Sequence, residues 1–148
     1  MKQGLIWEDS VDPPHLNLRY EVLREGLPRG SEHYPGIDED RRTRFLCAYE
    51  GGILIGCSTL QVDNRDGCDY RIRGMAVAPE FRNMGIGTGI VRELQRYAAD
   101  RGSGIWCNAR IKAVPMYERC GFEIVSEVFE IEGIGLHYDM EWKISVVE

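Results

Sequence analysis

The stretch MAVAPEFRNMGIGTGI, residues Met75 to Ile90, carries the reading of this chain. An apolar run ends at Pro79 and Arg82 follows. Gly85, Gly87 and Gly89 then take every second position where an apolar helical pattern begins. Glycine loses more backbone freedom on folding than any other residue, so three of them at the mouth of a helix need a reason. The first turn of a helix offers one, because its N–H groups have no intrahelical acceptor and carry the positive end of the helix dipole. Glycines let a ligand approach that backbone closely, and Arg82 adds a full charge beside it. The segment therefore reads as an anion cradle, suited to a phosphate or pyrophosphate. Tight packing of the helix on a sheet is the other use such glycines can have. A P-loop is excluded, since no G-K-[ST] follows. The dinucleotide fingerprint fails as well: the spacing is G-x-G-x-G, and the next strand ends at Asn108 rather than at an acid that would hold a ribose.

Outward from the glycines, Ile86, Ile90, Leu94, Tyr97 and Ala98 predict one face of a helix over about 86–101, with Arg92, Glu93, Arg96 and Asp100 on the other. Gly102 and Gly104 end it, and a short buried strand, Ile105 to Asn108, comes next. Upstream, strands are expected over about 44–49, 53–61 and 69–78, joined by Glu50-Gly51-Gly52 and by a turn from Asp63 to Gly67. The chain opens with a short strand at 3–8. Asp12 ahead of Pro13 and Pro14 then marks a helix start, with Leu16, Tyr20, Leu23 and Leu27 at helical spacing and Gly26 and Pro28 as a stop. His15 reads as helix surface. Residues 29–43 form the longest irregular stretch, and a loop of that length is often functional. Its Asp38-Glu39-Asp40 run reads as a solvated face. A helix over about 113–119 and strands over about 122–130 and 136–144 complete a mixed sheet with helices on its faces.

Composition narrows the function. The 148 residues suit one domain over 1–148, and a 43% hydrophobic, 28% charged make-up is ordinary for a globular protein. A net charge of −6 argues against nucleic acid or an anionic membrane as partner and permits a cationic acceptor such as an amine. Cys47, Cys57, Cys68, Cys107 and Cys120 include no C-x-x-C pair, so neither a zinc site nor a disulfide framework is expected. No segment carries the roughly 18 apolar residues of a membrane span, and the N-terminus lacks a signal peptide's apolar core, which points to the cytoplasm.

Two blocks in order resemble the GNAT superfamily of acetyl-CoA-dependent N-acyltransferases. The first is Val77-Ala78-Pro79 followed by Arg82 to Gly87, similar to the family's R/Q-x-x-G-x-G/A after a strand. The second is a strand ending in Asn108, then AVPMYERCGFEIV from Ala113 to Val125, similar to A-x-x-F-Y-x-x-x-G-F. The resemblance implies an α/β (α+β) GNAT fold: a mixed sheet of about six to seven strands with a V-shaped split, flanked by about four helices. It implies acetyl-CoA lying in that split, with no metal. The backbone of Met75, Ala76 and Val77 would hold the pantetheine and polarise the thioester carbonyl. Arg82, Asn83, Met84, Gly85, Ile86, Gly87 and Thr88 would cradle the pyrophosphate, and Asn108 would contact the pantetheine or a water.

The implied reaction is direct attack by a primary amine of a small molecule or peptide. Tyr117 would protonate the departing thiolate. The base stays open among Glu130, Glu132 and His137 near the last hairpin, Glu32 and His33 in the long loop, and a water relay. His137, in GIGLHYDM, resembles the G-I-x-x-H-x-x-M of one subgroup, and histidine suits proton transfer near neutrality. A non-catalytic acyl-CoA-binding module and a transferase for another acyl-CoA are the alternatives, and a homodimer is compatible with either.

Overall fold

The computed structural model describes residues 4–144. Gln3, the first residue of the expected opening strand, lies outside them, as do both ends of the expected 1–148 domain. Eight strands and three α-helices follow in the order β1 (Gly4–Glu8), α1 (Pro13–Arg19), β2 (Arg44–Glu50), β3 (Ile53–Arg65), β4 (Cys68–Val77), α2 (Ile86–Asp100), β5 (Ile105–Arg110), α3 (Val114–Arg119), β6 (Glu123–Ile124), β7 (Phe129–Ile131) and β8 (Gly135–Trp142). One mixed sheet has the order β1-β2-β3-β4-β5-β8-β6, with β7 also on β8. All neighbours are antiparallel except β4 and β5.

The expected mixed α/β sheet is present, with two differences of count. The strand expected over 122–130 is two short ones, because Val125 to Val128 leave the ladder between β6 and β7. The flanking helices number three rather than about four among the described residues; the other helical turns are short 3-10 segments at Pro79–Phe81 and Ile111–Ala113 and a π-helical turn at Tyr20–Arg24. That π turn continues α1 directly, so α1 does not carry the regular stripe its leucines suggested. Its buried residues are His15, Leu18 and Arg19, while Leu16, Tyr20, Leu23 and Leu27 are only half-buried. Asp12 does cap it, accepting from His15 N at 3.0 Å.

The sheet is covered on both faces. The main core lies between the sheet and α2 with α3. Leu46 and Ala48 of β2, Ile72 of β4, Cys107 of β5 and Met140 of β8 meet Ile86, Ile90 and Leu94 there. On the other face α1 seals a smaller cluster of Leu18, Cys47, Cys57 and Ala76. The alternation of β2, with Leu46 and Ala48 one way and Cys47 the other, follows from the two-residue period of a strand. All five cysteines are free and buried. Burial pushes the Cys57 thiol up to about 12 and the Cys47 and Cys107 thiols higher still, so they serve as small apolar groups rather than nucleophiles.

His15 is a correction to the sequence reading. It is 1% exposed, edge-on to Phe45 with centroids 5.7 Å apart, its Nδ1 3.5 Å from Cys47 Sγ. Burial, and then the charge of Arg19, push its pKa from the ordinary 6.5 down to about 4. As pH falls through that window the unfolded chain takes up the proton before the folded one, so stability is full above about 6.5 and declines toward about 4. Urea unfolding should show a loss of about 2 kcal/mol between pH 7 and pH 5, and His15→Leu should remove most of that slope.

Candidate active site

β4 and β5 pair only at Tyr70–Ile105, Arg71–Trp106 and Ile72–Cys107. Beyond that point β4 runs on to Val77 and β5 to Arg110 without pairing, so the two strands part in a V. The β5-facing edge of β4 from Gly74 to Val77 is left with no ladder partner. Its backbone polar groups need one from elsewhere. A bulge sits at the start of this stretch. Cys57 opposes Ala76 while Thr59 opposes Arg73, which gives β4 one extra residue, and Gly74 takes φ +56° there. The bulge resets the alternation: Ala76 joins Arg73 on the α1 side, and Met75 and Val77 pack with the α2 core.

A cavity of about 220 Å³ opens where the strands part. Met75, Asn108, Tyr117 and His137 all line it, so four residues expected from separate parts of the sequence come together. Tyr117 is 4% exposed and packs edge-on against Phe122 at 5.2 Å. Burial, and then the neighbouring Cys107 thiol, raise its hydroxyl well above the ordinary phenol range, which keeps the proton on it. His137 is buried and stacked on Phe129. Its Nδ1 lies 2.7 Å from the carbonyl of Gly135 and donates to it, so Nε2 is the ring nitrogen left for another partner.

Asn108 is less free than expected. Its Oδ1 accepts from Arg71, and its Nδ2 donates to Asp139 at 2.5 Å, so the side chain is engaged within the protein. Glu130 does not reach the cavity: it is exposed on β7, alternating with Ile131, which does line it. Glu132 is exposed in the turn, Glu32 is tied to the N–H of Gly30 at 2.8 Å, and His33 is tied to Glu39 at 2.5 Å; none of the three lines the cavity.

The glycine segment stands at the end of β4. Ala76, Val77 and the run Arg82 to Thr88 lie outside the cavity lining, but a Cβ placed on Gly87 would come 3.8 Å from Val77 and 3.9 Å from Met116, the neighbour of Tyr117. That distance is ordinary contact, and a Cβ on Gly85 or Gly89 would meet nothing. Packing of α2 on the sheet therefore does not require these glycines. The glycine it does require is Gly56 of β3, whose Cβ would lie 3.1 Å from Ile90 and 3.2 Å from Ile86. Gly85 is needed for its own backbone, at φ +80° as the α2 N-cap. Arg82, Asn83 and Met84 are exposed around this turn, and the N–H groups of Ile86, Gly87 and Thr88 are left as donors.

The third wall comes from the long loop, where sequence reasoning missed the main contact. Arg19 and Asp38 form a buried ion pair, with side chains 0% and 1% exposed. Arg19 Nη1 donates to Asp38 Oδ2 at 2.8 Å and to Glu32 O at 3.0 Å; Nη2 donates to Asp38 Oδ1 at 2.9 Å and to Thr59 Oγ1 at 2.6 Å. Asp38 also accepts from the N–H of Tyr34 at 2.9 Å, and the Arg19 guanidinium lies 4.1 Å over the Tyr34 ring. Burial alone would raise the Asp38 pKa; the hydrogen bonds and charge of Arg19 and the Tyr34 N–H hold it below the usual range. No local pattern separates this aspartate from Glu39 and Asp40 beside it.

The acetyltransferase (GNAT) family pattern matches residues 7–122 of this chain. The chain belongs to the GNAT acetyltransferase family. Among curated relatives, the uncharacterized N-acetyltransferase YitI of Bacillus subtilis strain 168 is 27% identical over 138 residues, 90% of this chain and 89% of that protein. YjcF of the same organism, also an uncharacterized N-acetyltransferase, is 30% identical over 122 residues, 81% of this chain and 82% of that one. Among solved structures, an aminoglycoside 6′-N-acetyltransferase complexed with coenzyme A superposes with a TM-score of 0.76 at 16% identity, covering 98% of this chain and 99% of that one. At that identity the likeness speaks for the fold. The protein is thus an acyltransferase of the GNAT type, and no helix among its described residues is long and apolar enough to cross a membrane.

Removing the carboxylate of the long loop tests how the third wall is held. Asp38→Ala leaves a buried guanidinium without its counter-charge, and chemical denaturation should show a loss of about 3–5 kcal/mol.

Proposed function

We propose that this protein moves an acetyl group from acetyl-CoA to a primary amine of a small molecule or peptide, acting in the cytoplasm as a single domain and without a metal. The observation that carries this reading is the parting of β4 from β5. It puts an unpaired strand edge, a protonated buried phenol and a histidine lone pair around one cavity, with a glycine-lined helix N-terminus at the end of the same strand. The chain's donor set suits acetyl-CoA: free N–H groups at Ile86, Gly87 and Thr88 with Arg82 beside them for the pyrophosphate, and the open edge from Gly74 to Val77 for the pantetheine amides. Space for a ligand at Gly87, not demanded by protein packing, supports the same assignment.

Acetyl-CoA supplies the activated acyl carbonyl. Backbone N–H groups along the open β4 edge are fixed donors for the oxygen on which negative charge develops, and such donors act strongly where water is excluded. The Tyr117 hydroxyl holds a proton to deliver to the departing sulfur. The His137 Nε2 accepts the proton that the acceptor ammonium gives up to become the attacking amine, with Nδ1 held by Gly135 O; Glu130 faces solvent and leaves this task to it. The amine attacks directly, so no enzyme nucleophile is needed, in keeping with five buried, inert thiols.

Two experiments test the reading. Incubation with acetyl-CoA and a panel of amines, followed by mass spectrometry, should reveal a product heavier by one acetyl group. Tyr117→Phe and His137→Ala should each lower kcat by about 10²-fold with little change in KM for acetyl-CoA. Absence of product from every amine, or unchanged kcat in both variants, would remove this mechanism. Separately, Gly87→Glu should leave the fold intact by circular dichroism, because an added Cβ makes only ordinary contact there, yet weaken acetyl-CoA binding in calorimetry by at least about tenfold through blockage and like charge.

A further inference from the structure

The net charge of −6 permits a cationic acceptor, but the cavity has the opposite sign. Arg24, Arg71, Arg73 and Arg110 line it, together with His137, and no aspartate or glutamate does. Strand geometry produces this. Arg71 and Arg73 alternate with buried Ile72 on β4, and Asn108 and Arg110 alternate with buried Ala109 on β5, so all four side chains leave the sheet on the α1 side of the split. β5 runs two residues past its expected end at Asn108, and Arg110 is part of that extension. The π turn after α1 brings Leu23 and Arg24 over the same opening.

Only Arg71 is neutralised locally, by Asp63 at 3.5 Å. Among the described residues Arg24, Arg73 and Arg110 have no carboxylate partner. They are nevertheless held close together. Arg24 and Arg110 both donate to the carbonyl of Leu23, at 3.1 and 2.9 Å, and Arg24 and Arg73 lie 5.7 and 5.1 Å from the Tyr34 ring centroid. Burial, and then the charge of a neighbouring arginine, lower the pKa of Arg73 and of Arg110. Like charges gathered in a cavity without counter-charge cost free energy that an anion recovers, and a guanidinium fork matches carboxylate and phosphate oxygens.

We propose that the amine acceptor carries an oxyanion, a carboxylate or a phosphate close to its amino group, seated on Arg24, Arg73 and Arg110. This rests on the acetyl-transfer reading above and narrows its substrate class. The arginines lie on the α1 side of the split, whereas the helix N-terminus assigned to the pyrophosphate of acetyl-CoA abuts Val77 and Met116 at the far end of β4; the two anion sites are separate. A cavity of about 220 Å³ suits a small acceptor such as a free amino acid or an aminoalkyl phosphate. The same charges disfavour an ammonium and so lower the acceptor's own pKa, which eases loss of its proton to His137.

The test compares acceptors matched except in charge: free amino acids against their C-terminal amides, O-phosphoethanolamine against ethanolamine, with spermidine as the cationic case. The oxyanion-bearing member of at least one pair should exceed its counterpart in kcat/KM by about 10²-fold or more, and the pair that responds separates carboxylate from phosphate. Arg73→Gln and Arg110→Gln should each raise acceptor KM by about 10–100-fold while leaving KM for acetyl-CoA unchanged. Equal use of the charged and uncharged members in both pairs, preference for spermidine, or a rise confined to KM for acetyl-CoA would overturn the proposal while leaving acetyl transfer in place. Should no amine be acetylated, the acetyl-transfer reading fails, and the oxyanion site is judged by binding alone. Propionate and inorganic phosphate are titrated into the protein while the arginine Nε–H resonances are followed by NMR. Saturable shifts with one of them, lost in the Arg73→Gln, Arg110→Gln double variant, support the site; no saturable shift with either overturns it.

Discussion

The buried pair of Arg19 and Asp38 is the contact on which the α1 side of the split depends. Two charges out of water repay their desolvation only when further hydrogen bonds in good geometry support the pair, and of the guanidinium nitrogens only Arg19 Nε lacks a partner. Here the aspartate takes two guanidinium nitrogens and a backbone N–H, and the guanidinium also reaches Glu32 O and Thr59 Oγ1. Those partners lie on α1, the long loop and β3, so one set of hydrogen bonds ties the loop to a helix and strand that already share the Leu18–Cys57 cluster. Tyr34 is seated by it, and the Tyr34 hydroxyl and Arg19 Nε crowd Gly74: an added Cβ would lie 3.0 and 3.1 Å from them, tighter than ordinary contact, at a left-handed φ of +56°. The pair thus meets the bulge that opens β4, and the wall of the cavity and the start of the split are held by the same contact.

The split itself is a consequence of strands that pair and then stop pairing. Three parallel pairs hold β4 to β5, after which the β5-facing edge of β4 has no strand neighbour. The fold spends glycine unevenly around it. Gly56 lets α2 sit close to the sheet, and Gly74 forms the bulge. Gly87 and Gly89 satisfy no packing demand of the protein, which is what a surface kept clear for a ligand looks like. The cavity shows a related division of charge. The chain is acidic as a whole, yet the face of β4 and β5 that looks toward α1 gathers arginines, because alternate strand positions put them all on one side while their apolar neighbours enter the core. Net charge describes the surface facing solvent and says little about a cavity lined by sixteen residues.

What the sequence determined by itself was everything written in local periodicity and contiguous motif. The apolar stripe of α2, the hairpin of β2 and β3, the cap at Asp12 and the glycine turn are each encoded by residues within one or two turns of one another, and the structure keeps them. The joint appearance of Arg82 to Gly87 and Ala113 to Val125 also placed the chain in its family, and Met75, Asn108, Tyr117 and His137 do meet in one cavity. What only the tertiary structure decided depends on residues far apart in the chain. The burial of Asp38 requires Arg19, 19 positions earlier, and Thr59, 40 positions after that arginine. The burial of His15 requires Phe45 and Cys47, and the retreat of Glu130 from the site depends on the register in which β7 pairs with β8, which sets it opposite exposed Leu136. The sign of the cavity arises from arginines on three separate elements. A one-dimensional pattern tells which faces of an element are apolar, but the partner that satisfies a buried charge is chosen only when the elements pack.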